Sequence, residues 1–408
     1  MHQFVSRSLG IEQGFVQCQE NLPELRQPLP RLFETSVGCL HQISGYRATS
    51  AHAWWHKIGL VNKSWIVPVG GFLGAGKTTL ILAAARHLRQ QGRRPAAILN
   101  DQGDDLVDTA YARASGLPAS EVTGGCFCCR FSDFLAAADQ LRSYAPDVIF
   151  AEPVGSCTDL SATILQPLKS ASLDQYRLAP LTVLVDPARA ADIGRDSNID
   201  FLFERQIAEA DLVAFSKCDR YASFPELAAL TGKEIRYLSA FDGRGVAAWL
   251  DEVLSGAIPV GREILDIDYE EYARAEAALG WLNWSASLEV TPALAPSQLL
   301  GPFLDRLQQA IPRIVHGKII DRTPAGYVKA AVTGNRDEPL IEGDLTASPE
   351  KEHELCVNLR VALPAAELEA HFREQLARLP GLRRDEWLQC FNPAPPRPEH
   401  RYAQVVGT

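Results

Sequence analysis

Trp65-Ile-Val-Pro-Val-Gly-Gly-Phe-Leu-Gly-Ala-Gly-Lys-Thr-Thr-Leu80 is an apolar run that passes through a glycine-rich turn into an alanine- and leucine-rich segment ending near Leu88. That order predicts strand, loop and helix. Within it, Gly71-x-x-x-x-Gly76-Lys77-Thr78 has the spacing of a phosphate-cradling loop, in which backbone N–H groups approach a phosphate more closely than a Cβ-bearing loop allows. The helix beginning at Lys77 adds its positive dipole end. The candidate phosphate-binding residues are Gly71, Gly74, Ala75, Gly76, Lys77, Thr78 and Thr79. Lys77 is placed to reach the β- and γ-phosphates, and the Thr78 hydroxyl to complete the coordination of Mg2+. A glycine-rich turn with no ligand is the rival reading, but it does not require the strand before and the helix after.

The chain has 408 residues, more than one typical core holds, so two domains are expected. The expected boundaries are a disordered N-terminal extension (1–62), a nucleotide domain (63–256), a linker (257–280), a C-terminal domain (281–390) and a flexible proline-rich tail (391–408). A net charge of −10 argues against a nucleic-acid footprint. No apolar run reaches the roughly twenty residues that cross a bilayer, and the N-terminus lacks a secretion-signal layout, so the expectation is a cytoplasmic protein without membrane partners. Nine cysteines, dispersed except for one cluster, read as reduced thiols. Met1 is the sole methionine, which raises the possibility of a natural start near Val61. His52 and His56 stand four apart, but without a fixed helix this spacing is a weak metal signal.

After the loop, Arg94 to Asn100 reads as a second strand ending in Asn100-Asp101-Gln102-Gly103-Asp104-Asp105. Acids at the carboxyl end of a parallel strand lie where open α/β sheets bind ligands, so Asp101 is a catalytic candidate; a polar turn is the competing reading. Next, Gly124-Gly125-Cys126-Phe127-Cys128-Cys129 offers three thiols in four residues, a set suited to zinc, cobalt or copper(I), with a fourth ligand to come from Asp101, Asp104, water or a partner. A redox thiol set and buried inert cysteines are the alternatives. Pro146 to Gly155 reads as a third strand that ends in an acid and a glycine, Glu152 and Gly155. Such a carboxylate acts on magnesium, and such a glycine amide senses the γ-phosphate. Further strands at 181–186 and 211–216 lead to Ser216-Lys217-Cys218-Asp219. The Asp219 carboxylate can accept both the N1 and N2 protons of guanine, which adenine does not offer, while Lys217 lies along the ring. A strand from Ile235 then ends in Ser239-Ala240, a turn that can close over the base.

The motifs at 71–79, 125–129, 152–155 and 216–219, in that order, resemble those of the CobW-type metal-linked GTPases, and the resemblance covers about residues 64–255. It implies a P-loop NTPase fold with a mostly parallel sheet and a smaller α+β C-terminal domain that recognises partners. It also implies slow GTP hydrolysis and the handling of zinc or cobalt by Cys126, Cys128 and Cys129 for a client metalloprotein. Three departures stand out. Asn100-Asp101 replaces the usual Asn-Glu, Ser216 replaces an asparagine, and the nine histidines are dispersed rather than gathered in a run.

Beyond a hinge near Gly256 to Gly261, strands are expected at 283–290, 314–320, 326–332 and 355–361. Amphipathic helices are expected at 296–311 and 364–379. This pattern predicts an antiparallel sheet covered on one face and no catalytic constellation. The expected protein is therefore a GTPase using GTP and Mg2+, with Lys77, Glu152 and Asp101 at the chemistry and with Thr78 and Glu152 on magnesium. No arginine is assignable as a finger. The competing accounts are a metal-sensing GTP-binding regulator without significant turnover and a P-loop small-molecule kinase.

Overall fold

A computed structural model describes residues 63–407 apart from 104–106, 172–173, 191–193, 222–230 and 335–337. The N-terminal extension, His52, His56, Asp104 and Asp105 lie outside the described residues. Residues 62–408 pack as one compact unit built on two sheets.

The first sheet is parallel. Its strands are β1 (Ser64–Gly71), β2 (Pro95–Asn100), β3 (Ala119–Val122), β4 (Val148–Glu152), β5 (Tyr176–Leu178), β6 (Thr182–Val185), β7 (Leu212–Phe215) and β8 (Ile235–Tyr237). They lie in the order β3-β2-β4-β1-β6-β7-β8, with β5 also pairing with β1. Strands β2, β4, β6 and β7 are buried at every residue, which is why they read as unbroken apolar runs. Helices α1 (Lys77–Gln90), α2 (Val107–Ala114), α3 (Phe131–Leu141), α4 (Ser197–Glu209) and α5 (Val246–Val253) cover its faces. Because β1 is flanked by β4 on one side and β6 on the other, the chain reverses direction across the sheet there, and a crevice opens at the strand ends.

The second sheet is antiparallel. It comprises β9 (Gly280–Leu294), β10 (Ile314–Thr323), β11 (Gly326–Val332), β12 (Leu340–Gly343), β13 (Glu350–Val361) and β14 (Leu382–Phe391), in the order β12-β11-β10-β13-β9-β14. The sequence pattern did not signal β12 or β14. Period-2 alternation splits each long strand between two faces. Leu282, Trp284, Ile319, Val357 and Leu359 pack with Phe303, Leu307, Phe372 and Leu376, which come from two helices, Pro296–Ala310 and Ala365–Leu376. The opposite face turns to the first sheet: Trp281 and Val315 enter one of its cores, and Ile320 and Cys356 the other.

Two expectations about the connecting segments change. Within 257–280, expected as a linker, a helix at Tyr269–Ala277 buries Tyr272 and Ala275 in the core of the first sheet. The tail, expected to be flexible, lies along that sheet's outer surface. Its prolines donate nothing, but the N–H groups of Glu399, Tyr402 and Val406 donate to Cys128 O, Ala162 O and Gln166 Oε1. Arg401 Nε adds a 2.7 Å bond to Asp159 Oδ2. Among the described residues no helix is long and apolar enough to cross a membrane.

Candidate functional site

The crevice at the end of β1 is a cavity of about 280 Å³ lined by Gly74 to Leu80, Asn100, Asp101, Asp108, Glu152, Gly155, Ser216, Lys217, Asp219 and Ala240. The expected nucleotide residues therefore converge, with two exceptions. Gly71 ends β1 below the cavity, where a Cβ would meet Leu184 O at 2.4 Å, so its glycine serves strand packing. Ser239 is fully buried and supports the wall from behind. Gly76, at φ 94°, takes a left-handed turn that favours glycine, and nothing lies within 4 Å of where its Cβ would be. Open space beside a backbone N–H at a helix start suits an anion.

Lys77 is buried and donates to Gly71 O at 2.8 Å; burial lowers its pKa, opposed by the nearby Glu152 carboxylate. Thr78 Oγ1 lies 3.0 Å from both Glu152 Oε1 and Asp108 Oδ1. Burial, reinforced by the Asp108 charge, pushes Glu152 up to about 7. Its Oε2 is buried and has no hydrogen-bond partner among the described residues. A hydroxyl beside a carboxylate with an orphaned oxygen is a donor set fit for a hard divalent cation, so Thr78 and Glu152 suit Mg2+.

On the base side, Asp219 Oδ1 accepts from Ser239 Oγ at 2.7 Å, an anchor that fixes the carboxylate and leaves its second oxygen for a ligand. Lys217 adopts a positive φ of 58°, and its Nζ bonds Asp186 Oδ2 at 2.6 Å. Left-handed backbone at a non-glycine residue persists where surrounding structure imposes it. Ser216 is turned inward, its hydroxyl donating to Val185 O at 3.3 Å.

Asp101 lines the cavity, but its carboxylate is held by Arg360 of β13, with both oxygens 2.6 Å from Nη2. Held there, Asp101 does not stand free to act on a phosphate, and it is not gathered with the thiols, for which it is one of the candidate fourth ligands alongside Asp104, water and a partner. Arg360 also lies over the Trp281 ring, 4.0 Å from its centroid. The second sheet, expected to carry no site residues, in fact walls the cavity with His316, Lys318, Lys329, Thr333, Asn358 and Arg360. Lys318 Nζ pairs with Asp108 and lies 3.5 Å from Thr78 Oγ1. Burial, then the charges of Lys318 and Lys77, keep His316 well below its ordinary pKa and hence neutral. The sequence traces of this wall are pairs of polar residues at alternate positions, His316 and Lys318 on β10 and Asn358 and Arg360 on β13, which resemble ordinary solvent-facing strands.

The three thiols form one cluster, with Cys126 Sγ 2.8 Å from Cys128 Sγ and 3.2 Å from Cys129 Sγ. Hydrogen bonding with Cys128, Cys129 and Cys157 holds the Cys126 thiol well below its ordinary pKa, the state a metal needs. Hydrogen bonding to Cys126 pushes Cys129 up to about 12. Cys157, buried and unremarkable in sequence, interacts with both Cys126 and Cys128, so sequence reasoning missed a fourth thiol beside the cluster. Burial, then the Cys126 charge, raises the nearby Glu276 to about 8. Its Oε1 accepts from Ser156 Oγ at 2.5 Å and Gln102 Nε2 at 3.1 Å.

Asn100 joins the two sites. Its Oδ1 accepts from Phe127 N, and its Nδ2 donates to Val122 O and Gly125 O, each at 2.8 Å. The residue that closes β2 at the nucleotide cavity therefore also clamps the cysteine loop. A second link is the loop after Glu152, which runs in five residues from that carboxylate past Gly155 to Cys157.

Residues 65–239 match the family model described as the CobW/HypB/UreG nucleotide-binding domain. The chain is 30% identical over 217 residues to a zinc chaperone CobW of Sinorhizobium sp, covering 45% of this chain and 60% of that one. It is also 30% identical over 156 residues to the zinc chaperone YeiR of Escherichia coli K12, covering 37% and 46%. The chain thus spans about half the length of the curated relatives it matches. Among solved structures it is similar to the zinc-bound YjiA GTPase of E. coli at 17% identity and a TM-score of 0.35, covering 77% of this chain and 99% of that one.

Proposed function

We propose, from the match of residues 65–239 to the CobW/HypB/UreG nucleotide-binding domain, that this chain binds and hydrolyses GTP and carries zinc or cobalt on Cys126, Cys128 and Cys129 for delivery to a client metalloprotein. The observation that carries the proposal is the Asn100 side chain, which hydrogen-bonds the thiol loop from the floor of the nucleotide cavity.

The backbone of Gly74 to Thr79 wraps the β-phosphate, and Lys77 exchanges Gly71 O for phosphate oxygens. Thr78 and Glu152 would hold Mg2+, which when bound neutralises phosphate charge and reverses the effect of burial on Glu152. The Gly155 amide lies where a γ-phosphate ends and is the natural sensor of its loss. Asp219, braced by Ser239, accepts the guanine N–H groups beside Lys217 and Ala240. Water attacks the γ-phosphorus in line, the bond to the β–γ bridging oxygen breaks, and GDP and phosphate leave. Asp101 acts through its pair with Arg360, so the loop after β2 reports to the second sheet.

Competition binding of GTP and ATP, followed by phosphate release with and without zinc, tests this reading. The expected results are a preference for GTP of about 100-fold, the order set by hydrogen bonds to a charged carboxylate worth about 3 kcal/mol, together with measurable phosphate release. Equal affinity for ATP would favour the kinase account, and GTP binding without release the regulator account.

A further inference from the structure

The second sheet places an ammonium group at the phosphate end of the cavity. Lys318 lies on β10, more than two hundred positions beyond the phosphate loop in the chain. Its Nζ pairs with Asp108 and stands 3.5 Å from the hydroxyl of Thr78. Asp108 shares that hydroxyl. Although burial alone would raise its pKa, Lys318 and then Lys329 hold Asp108 below the usual carboxylate value.

The other cations of this wall are engaged elsewhere. Lys329 Nζ bonds Glu342 at 2.9 Å and lies 3.7 Å from the centroid of the Tyr111 ring, and Arg360 is occupied by Asp101. His316 is neutral. Lys318 differs because its counter-ion sits on the cation site itself. Thr78 and Glu152 would hold magnesium, which would supply positive charge to a phosphate oxygen bound beside the Thr78 hydroxyl. That oxygen falls within reach of an ammonium already 3.5 Å from the same hydroxyl. With a dication held by Thr78, the Lys318 ammonium would turn from that hydroxyl to the γ-phosphoryl oxygens beside it.

We propose that Lys318 is a catalytic residue supplied in cis by the second sheet, donating to a γ-phosphoryl oxygen of GTP and neutralising the charge that builds there as the bridging bond breaks. It fills the role for which no arginine was assignable. Lys318 transfers no proton: the water that attacks phosphorus surrenders its proton to the phosphate product, and GDP leaves with the electron pair of the broken bond. After phosphate departs, the ammonium returns to Asp108, so the second sheet registers which nucleotide is bound. The inference rests on the GTPase reading above.

Three proteins test it: Lys318→Met, Lys318→Arg, and Lys318→Met combined with Asp108→Asn, which keeps the buried charge balanced. The readouts are single-turnover phosphate release, GDP affinity, and GDP affinity with aluminium fluoride, a mimic of the transferring phosphoryl. In both methionine proteins release falls about 100-fold, the effect of removing one transition-state donor. Aluminium fluoride no longer tightens GDP, GDP alone binds as before, and Lys318→Arg keeps most of the rate. An unchanged rate in the methionine proteins, or a parallel loss of GDP affinity in the charge-balanced protein, would overturn the role of Lys318 while leaving the GTPase reading intact. A wild-type protein that binds GTP without releasing phosphate would overturn both.

Discussion

Replacing Cys126 with alanine lowers zinc affinity by about 100-fold or more. Four-ligand zinc sites in small domains are worth about 10–16 kcal/mol, or roughly 3 kcal/mol per ligand, and each 1.4 kcal/mol is tenfold. Cys126 is the most damaging of the three positions because its sulfur touches both others. With Cys126 gone, Cys128 and Cys129 stand 3.8 Å apart without the sulfur between them. The fold should survive, since the cysteine loop is still fastened by Asn100 to Val122 O, Gly125 O and Phe127 N. Chelator competition measures the affinity. An affinity equal to wild type would remove the thiols from the account.

Replacing Lys77 with alanine costs about 3 kcal/mol of GTP binding, roughly 100-fold, the range for truncating a buried charge that meets an opposite charge. The loss is largest for GTP and smaller for GDP, because Lys77 reaches the β- and γ-phosphates together. Zinc affinity without nucleotide should remain near wild type, since Lys77 hydrogen-bonds Gly71 on β1 and none of its described bonds goes to the cysteine loop. Titration with fluorescent guanine nucleotides reads the effect; GTP affinity within about threefold of wild type would contradict the placement.

Local chemistry was legible in the sequence wherever neighbours in the chain are also neighbours in space. The phosphate loop, the acid closing β4, the thiol triplet and the Ser216-to-Asp219 turn each carry their own spacing, and all but the thiols line one cavity. What escaped was assembled by tertiary packing. Lys318 sits between Gly317 and Ile319 as a surface lysine would, and it is the docking of β10 against the phosphate loop that leaves it only partly exposed. At Gly74 a Cβ would lie 2.5 Å from Thr333 Cγ2, so the glycine admits the second sheet as well as a phosphate. Cys157 has no partner within its own segment and joins the cluster because the loop after β4 folds back past Gln206, whose Nε2 bonds the carbonyls of Gly155 and Cys157. Glu276 reads as one of several acids in an alanine-rich helix, yet that helix buries it against Ser156 and Gln102. The tail was misjudged from its prolines. Its ordering comes from the N–H groups between them, including Arg397 N, which donates to Cys129 Sγ at 3.1 Å.

Coupling between nucleotide and metal follows if Asn100 and the loop from Glu152 to Cys157 are both part of the nucleotide site and part of the thiol site. Coupling free energies of this kind are about 1–3 kcal/mol and are reciprocal. The most direct measurement is zinc affinity by chelator competition on the same protein with a non-hydrolysable GTP analogue, with GDP, and without nucleotide. The predicted result is a difference of at least about fivefold between the GTP-analogue and GDP states, with zinc shifting analogue affinity by the same factor. Identical zinc affinities in all three states would contradict it.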